Sequence, residues 1–227
     1  MPSIARRTHG NGFSVRQNGN EEAAAHPVNL SICIVQGGSP MNVYDFDGTL
    51  YRGDSSADLC LYALRKKPAL VKYLPGIAGA GLKYLRKRID KTAFKEKIFA
   101  FLSSVETEAL VEAFWDSHEG KIMPWYPARQ RPDDTVISAS PEFLIRPIAQ
   151  RLGIRNVIAS RVDPDTGKFS GLNCHDEEKV KRLHAEFHGA VIDDFYSDSL
   201  SDLPLARLAK RAYFVRNGKP EEWRVRT

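Results

Sequence analysis

The chain has 227 residues, of which 42% are hydrophobic and 27% are charged, and its formal net charge is +5. A chain of this length can bury a large core without metals or disulfides. Its three cysteines, Cys33, Cys60 and Cys174, are widely spaced and form no CxxC pair, which excludes the common zinc and redox dithiol patterns. The mild positive charge fits a solvated surface, an anionic substrate, nucleic acid or a membrane, so charge alone selects no function.

Targeting signals are not evident in this sequence. No apolar run is long enough to cross a bilayer, and the N-terminus lacks the apolar segment and small-residue cleavage site of a secretory signal. The cysteine pattern fits a reducing compartment. We therefore expect a soluble cytoplasmic protein.

The first 40 residues are rich in Gly, Asn, Arg and Ser, and only "LSICIV" has enough apolar character to become ordered. We predict that residues 1–40 are a largely disordered N-terminal extension. Met41 directly precedes the apolar run "NVY", which suggests the hypothesis that the functional protein starts there.

From Met41 onward, strand and helix patterns alternate. "MNVYDFD" predicts a first strand, and apolar spacings of three and four from about Ser55 to Glu119 predict a block of helices. Further strands are predicted, in chain order, at "TVISAS", "NVIASRV", "GKFSGL", "AVIDD" and "AYFVR". Helices are predicted at Pro141 to Leu152, Glu177 to Phe187 and Asp202 to Lys210, and the turn "DPDTG" predicts a hairpin between the third and fourth strands.

This alternation predicts an α/β fold, a Rossmann-like doubly wound and mostly parallel sheet covered by helices on both faces. The helical block lies between the first and second strands, so we predict an inserted all-α domain. The predicted organisation is a core formed by residues 41–52 and 127–227, with a helical insertion at residues 53–126.

Polar residues recur where the predicted strands end, and ligands of open α/β sheets bind at that edge. The first strand ends in Asp45 and Asp47, and the second reaches Ser138, with Ser140 and Pro141 placed to cap and start the next helix. A later helix carries Lys179, and "VIDDFYSDSLSD" supplies four further carboxylates: Asp193, Asp194, Asp198 and Asp202. Carboxylates gathered in one cleft favour Mg²⁺, and a lysine beside them can neutralise a phosphate.

Four segments in series, "DFDGTLY", "VISAS", the lysine of "EEKVKRL" and "DSLSD", closely resemble the motifs of the haloacid-dehalogenase-like hydrolases, specifically the phosphoserine-phosphatase-like branch. The resemblance extends from Met41 to about Gly218. It implies a hydrolase, a phosphoric monoester phosphatase, with Mg²⁺ as cofactor and a helical cap formed by the insertion.

The resemblance also implies a role for each motif residue. Asp45 is the expected nucleophile, which becomes an aspartyl phosphate, and Asp47 the expected general acid and base. The expected metal ligands are the Asp45 carboxylate, the Asp47 backbone carbonyl and the Asp198 carboxylate, with Asp202 directly or through water; Asp193 or Asp194 remain alternatives. Ser138 and Lys179 are expected to hold phosphoryl oxygens, assisted by backbone N–H groups near Gly48 and Thr49. Arg52, Asp54 and Ser55 are candidates for contact with the leaving group by position only.

The cap sets the substrate, so the motifs leave several functions open. The leading expectation is a phosphomonoesterase that acts on a small phosphorylated metabolite. A lipid-phosphate phosphatase is the first alternative, because "RKKPALVKYLPGIAGAGLKYLRKR" mixes apolar and basic residues; an ordinary solvated helix pair is nevertheless favoured over a surface that contacts anionic lipid. A non-catalytic binding module is the second alternative. We expect no nucleic-acid partner, since no basic stripe with groove-reading elements is present.

Overall fold

A computed structural model of the chain describes residues 40–224. The predicted N-terminal extension lies, apart from Pro40, outside the described residues. The strands are β1 (Met41–Tyr44), β2 (Thr135–Pro141), β3 (Asn156–Ser160), β4 (Ile192–Ser197), β5 (Ala209–Arg216) and β6 (Lys219–Glu222). The α-helices are α1 (Ser55–Lys66), α2 (Leu74–Leu85), α3 (Lys91–Phe99), α4 (Thr107–His118), α5 (Glu142–Arg151), α6 (Glu177–Glu186) and α7 (Leu203–Ala206). Short 3₁₀ helices occupy Pro68–Tyr73, Ala100–Ser104, Glu119–Lys121 and Leu200–Asp202.

The six strands form one sheet in the order β3-β2-β1-β4-β5-β6. All neighbouring strands are parallel except β6, which pairs antiparallel with β5. The chain moves outward from β1 through β2 to β3 and then returns to place β4 on the other side of β1. Strand order therefore reverses at β1, which puts the expected ligand crevice at its carboxyl end.

Successive strand residues pack against opposite faces of the sheet, as a strand period of two requires. On one face, Tyr44, Val136, Val157 and Tyr196 pack with α4 and α5; on the other, Val43, Ile137, Ile158 and Phe195 pack with α6 and α7. Because both faces are covered, the central strands are largely buried, and all four residues of β1 are buried. The α/β fold expected from the sequence is confirmed.

Helices α1 to α4 all lie between β1 and β2 in the chain. They have a small apolar cluster of their own, in which Ala63, Leu70, Phe99, Phe101 and Leu102 pack with Val162. Asp54 and Asp90 cap α1 and α3 by accepting hydrogen bonds from backbone N–H groups of their first turns. Of the helices within residues 40–224, none has the length and apolar character needed to span a membrane.

Two predicted elements are wrong in part. "GKFSGL" is not a strand; the "DPDTG" hairpin is present, but only one bridge, between Val162 and Phe169, flanks it. Positive φ angles at Gly167 and Gly171 interrupt the extended backbone that a strand needs. The helix predicted from Asp202 to Lys210 ends at Ala206, because pairing with β4 draws Ala209 and Lys210 into β5.

Candidate active site

The site lies at the carboxyl end of β1, between β2 and β4. The Asp45 N–H donates to the Tyr196 carbonyl at 2.9 Å and thereby continues the pairing of β1 with β4. A tight turn follows, in which the Phe46 carbonyl accepts hydrogen bonds from the N–H groups of residues 49, 50 and 51. Gly48 takes a φ of +71°, and its N–H donates to the Gly53 carbonyl. The turn therefore returns the chain sharply and holds both aspartates at the strand end.

A buried ion network joins three of the predicted site residues. Lys179 is only 2% exposed, and its Nζ donates to Asp45 Oδ1 at 2.7 Å and to Asp202 Oδ2 at 2.8 Å. Ser197 Oγ, from the end of β4, also donates to Asp202 Oδ2 at 2.8 Å. Asp202 Oδ1 is buried and has no hydrogen-bond partner within residues 40–224. Such an atom points to a further partner, because a buried polar atom without one is costly.

Burial and the charges of neighbouring groups both affect the titration of this network. Burial raises the pKa of Asp45 to about 7, although Lys179 acts against the rise; the charges of Asp202 and Asp47 add to it. For Lys179 burial disfavours the ammonium form, but the carboxylates of Asp45 and Asp202 outweigh it, so its pKa is raised. A positive charge on Lys179 is thus secured, and Asp45 would ionise more readily if a further cation were beside it.

Asp47 lies in a different environment from Asp45. Its Oδ1 accepts from the Ser55 N–H at 2.7 Å, and its Oδ2 accepts from Ser140 Oγ at 2.5 Å. Burial raises the pKa of Asp47, and the negative charge of Asp54 adds to the rise. Hydroxyl and amide donors thus contact Asp47, whereas an ammonium contacts Asp45.

Ser140 contacts the site instead of capping the next helix, the role that the sequence had predicted for it. It does not cap α5: that helix has Pro141 at its N-cap position, without a side-chain cap bond. Its hydroxyl instead lies between Asp47 and Ser56, whose Oγ is 2.8 Å away. Ser138 is fully buried, and its Oγ accepts a hydrogen bond from the Ser140 N–H at 3.0 Å. Ser138 therefore helps to hold the backbone of Ser140 in place.

Asp198 approaches the first turn from the end of β4. Its N–H donates to Thr49 Oγ1 at 3.0 Å. A Cβ built on Gly48 would lie 1.9 Å from Asp198 Oδ2, so the carboxylate fits only because residue 48 is glycine. Burial raises the pKa of Asp198, and the charges of Asp202 and Asp47 contribute.

Other predicted residues lie differently from expectation. The N–H groups of Gly48 and Thr49 already donate within the turn, to the Gly53 and Phe46 carbonyls. Arg52 is exposed ahead of α1, and its contact across the turn is a backbone bond to Lys121. Asp193 pairs with Arg131 and Lys210, and Asp194 pairs with Arg211, so neither carboxylate joins the network of Asp45.

Two lysines of α3, which the sequence analysis did not single out, lie beside the site. Lys95 Nζ donates to the Ala139 carbonyl at 2.7 Å and to Asn173 Oδ1 at 3.1 Å. Burial, and then the charge of Lys91, lower the pKa of Lys95 to about 8. Burial also lowers the pKa of Lys91; the charge of Lys179 adds to this decrease, whereas the charge of Asp176 opposes it. The sequence offered one indication of this pair: residues four apart on a helix lie on the same face.

The oxygen atoms of this site suit a hard divalent cation. Within residues 40–224, no three His, Cys, Asp or Glu side chains form a ready-made metal cluster. Asp45, Asp198 and Asp202 nevertheless provide carboxylate oxygens, the type of ligand that Mg²⁺ prefers. The unpartnered Asp202 Oδ1 and the close fit of Asp198 against Gly48 are both consistent with such a cation. The donor set therefore fits Mg²⁺.

Comparison with known proteins gives concordant matches. The family described as haloacid dehalogenase-like hydrolase matches residues 43–207. A histidinol-phosphatase from Neisseria meningitidis is 31% identical over 200 residues, which cover 76% of this chain and 88% of that protein. A Bordetella pertussis protein of unknown function has a TM-score of 0.63 at 21% identity, covering 78% of this chain and 90% of that one. A phosphoserine phosphohydrolase-like protein from Francisella tularensis has a TM-score of 0.50 at 18% identity, covering 78% and 87%.

Proposed function

This chain belongs to the haloacid dehalogenase-like hydrolases and is a phosphatase of that family, and we propose that it hydrolyses phosphomonoesters in two steps through an aspartyl phosphate on Asp45. The resemblance found in the sequence is confirmed at the level of the family. The non-catalytic module considered from the sequence is accordingly set aside. The observation that carries the proposal is the contrast between two neighbouring carboxylates, one paired with an ammonium and one bound by a hydroxyl and an amide.

That contrast suits two different chemical tasks. A nucleophile must be ionised, and Asp45 accepts a hydrogen bond from the positively charged Lys179 at 2.7 Å. A general acid must hold a proton, and burial raises the pKa of Asp47, which has no lysine in its hydrogen bonds. Burial raises the pKa of both carboxyl groups, but within residues 40–224 only Asp45 accepts a hydrogen bond from a cation, which favours the ionised form. Pairs of carboxyl groups in different surroundings are typical of acid–base sites.

In each of the two steps, one bond to phosphorus forms, one breaks, and Asp47 transfers a proton. In the first, an Asp45 oxygen attacks phosphorus, the bond from phosphorus to the leaving oxygen breaks, and Asp47 gives its proton to that oxygen. In the second, water attacks phosphorus, Asp47 takes a proton from the water, and the bond between phosphorus and Asp45 breaks. Lys179 is placed to neutralise phosphoryl charge in both steps.

Mg²⁺ fits this site and would be held by the Asp45 carboxylate, the Asp47 carbonyl and the Asp198 carboxylate, with Asp202 next to them. When bound, the cation would act as a Lewis acid toward the phosphoryl group and favour ionised Asp45. Gly48 serves the same arrangement, since it admits Asp198 to the turn.

We also propose the division into an α/β core, residues 41–52 and 127–227, and a helical cap, residues 53–126. Ser56 and Lys95 support it, because both belong to the helices between β1 and β2 and both contact the Ser138–Pro141 end of β2. A cap of this kind excludes water and contacts the leaving group. The relative named histidinol-phosphatase favours a small phosphorylated metabolite, whereas a cavity described below favours an apolar leaving group.

The test is phosphate release from p-nitrophenyl phosphate and a panel of phosphomonoesters, with Mg²⁺ and with EDTA. We expect turnover that EDTA removes and added Mg²⁺ restores, and that Asp45→Asn reduces to background. Asn keeps the volume of Asp and can still accept from Lys179, so the variant should remain folded. Undiminished turnover by Asp45→Asn, or turnover that ignores EDTA, would contradict the proposal.

A further inference from the structure

An apolar cavity of about 400 Å³ lies among α1, α2, α3 and the 3₁₀ helix Pro68–Tyr73. Its walls include Leu61, Leu64, Leu70, Leu74, Ile77 and Phe99. The volume is within the range of small-molecule binding sites, roughly 300–1,000 Å³. None of the two-step chemistry proposed above requires this cavity.

Two polar residues of the cavity wall, Ser56 and Lys95, contact the end of β2 at the active site. Ser56 lines the cavity, and its Oγ is 2.8 Å from Ser140 Oγ, which in turn donates to Asp47. Lys95 also lines the cavity and donates to the Ala139 carbonyl, next to Ser138 and Ser140. Through Ser56 and Lys95 the cavity therefore adjoins the end of β2 whose Ser140 holds Asp47.

The outer side of the cavity is an exposed apolar surface. Leu61 and Leu74, which line the cavity, are 50% and 42% exposed, and nearby Val71 is 57% exposed. On α2, Leu82 and Leu85 are 49% and 78% exposed. Several large apolar side chains exposed on neighbouring helical segments are typical of an interaction site.

Asp54 lines the cavity, but the charge of the segment on its outer side is uniformly positive. Residues 65–88 contain eight lysines and arginines and no acidic residue. All eight are exposed: Arg65, Lys66, Lys67, Lys72, Lys83, Arg86, Lys87 and Arg88. An apolar surface with a basic border is complementary to an amphiphile with an anionic head, and to the surface of an anionic membrane.

We propose that this cavity binds the alkyl chain of the leaving group, and hence that the substrate is a lipid phosphomonoester. The inference rests on the proposed function for the position of the phosphate, at Asp45 and Lys179. The chain would pass between Ser56 and Lys95 and lie along Leu61 and Leu74. This occupant accounts both for the apolar walls and for their position beside the site, which a small polar leaving group does not.

The first experiment measures binding without turnover. Methyl-, butyl- and octylphosphonate, below their micelle concentrations and with Mg²⁺, are titrated calorimetrically into the wild-type protein. Each methylene that is fully buried is worth up to about a fourfold tighter Kd. We expect octylphosphonate to bind at least about tenfold more tightly than butylphosphonate, since only part of that gain survives the cost of ordering the chain. Equal affinity for all three would overturn the inference.

Matched variants localise the effect. Leu61→Glu places a charge in the cavity wall and should remove the dependence on chain length, whereas Leu208→Glu, at a similarly exposed leucine of the core that does not line the cavity, should keep it. Leu61→Trp, which narrows the cavity without a charge, serves if Leu61→Glu fails to fold. Retention of the full chain-length effect in whichever of the Leu61 variants is folded would also overturn the inference.

Activity then separates this inference from the proposed function. Hydrolysis of p-nitrophenyl phosphate that depends on Asp45, together with phosphonate binding indifferent to chain length, would leave the phosphatase standing and reject the lipid substrate. Chain-dependent binding without hydrolysis of any phosphomonoester would support the cavity and reject the proposed function. Short-chain phosphatidic acid in mixed vesicles with phosphatidylcholine tests the natural form of the substrate, and we expect Leu61→Glu to reduce phosphate release from it.

Discussion

The two carboxylates after β1 differ in what donates to them, and this difference depends on Ser140. Its hydroxyl is the side-chain donor to Asp47, across 93 residues of sequence. No local pattern identifies such a contact, because "SAS" before a helix is equally typical of a capping sequence. By contrast, the strand and helix pattern placed Asp45, Asp47, Lys179, Asp198 and Asp202 at the expected edge of the sheet, and the family resemblance selected Asp198 and Asp202 over Asp193 and Asp194.

Replacing Ser140 by Ala tests its role as a positioning residue for Asp47. The hydrogen bond from Ser140 lowers the pKa of Asp47, so its loss should raise that pKa further. Asp47 would then keep its proton to a higher pH, and we expect the alkaline limb of the kcat profile to move upward. We also expect kcat to fall by about 10- to 100-fold, since a poorly oriented acid–base group loses much of its contribution.

The control for that experiment is Ser56→Ala, which removes the neighbouring hydroxyl but leaves the bond between Ser140 and Asp47 in place. Its pH profile should stay close to that of the wild type. A Ser140→Ala enzyme with an unchanged profile would show that the hydroxyl only fills space.

Gly48 provides a second test at single-residue scale. In Gly48→Ala the new Cβ would lie 1.9 Å from Asp198 Oδ2, at a φ of +71°, so the carboxylate must move. We expect the concentration of Mg²⁺ required for half-maximal activity to rise at least about tenfold, because displacement of a ligand by even an ångström is costly. Titration of activity with Mg²⁺ measures the effect.

Gly53→Ala is the matched control. Its φ of +111° makes it equally strained, but its Cβ would come no closer than 3.6 Å to the Lys121 side chain. If both variants raised the Mg²⁺ concentration for half-maximal activity equally, strain in the turn rather than the position of Asp198 would be responsible.

At the scale of elements, the hairpin after β3 connects the core with the helices between β1 and β2. Thr107 donates to the Pro164 carbonyl at 2.6 Å, and the Phe169 N–H donates to Glu96. The sequence predicted the turn from "DPDTG" but predicted a full strand after it. That strand is absent because the residues contact α3 and α4 through single hydrogen bonds instead of a sheet ladder.

Gly167 lies where this hairpin meets α3. A Cβ at this residue would lie 2.2 Å from the Phe99 carbonyl oxygen, at a φ of +72°. We expect Gly167→Ala to lower the free energy of unfolding by about 1–3 kcal/mol, through overpacking added to backbone strain. Thermal or urea unfolding measures the change.

Gly171→Ala separates these two causes. Gly171 has a φ of +98°, but its Cβ would meet nothing within 4 Å, so this variant should show the backbone strain alone. Equal destabilisation by the two variants would mean that the contact with Phe99 contributes nothing.

At the scale of the whole molecule, strand positions could be predicted from the sequence but strand order could not. Alternating strands and helices indicate a parallel sheet, but the placement of β4 beside β1 rather than beside β3 depends on pairing between Val43 and Phe195, far apart in the chain. The ends of elements were least predictable, as α7 shows, because sheet pairing overrides local helix preference. The cavity beside the site could not be predicted either, since it is formed by packing of four separate helical segments.

The central claim, that phosphate passes through Asp45, is tested most directly by trapping it there. Asp47→Asn lacks the base for the second step, so after mixing with p-nitrophenyl phosphate, whose leaving group needs no acid, it should retain the phosphoryl group. Borohydride reduction of the acid-quenched protein converts an aspartyl phosphate to homoserine, which peptide mass spectrometry locates. We predict homoserine at position 45 in Asp47→Asn and none in Asp45→Asn. Hydrolysis by the wild type with no homoserine at position 45 under any quench would contradict the account.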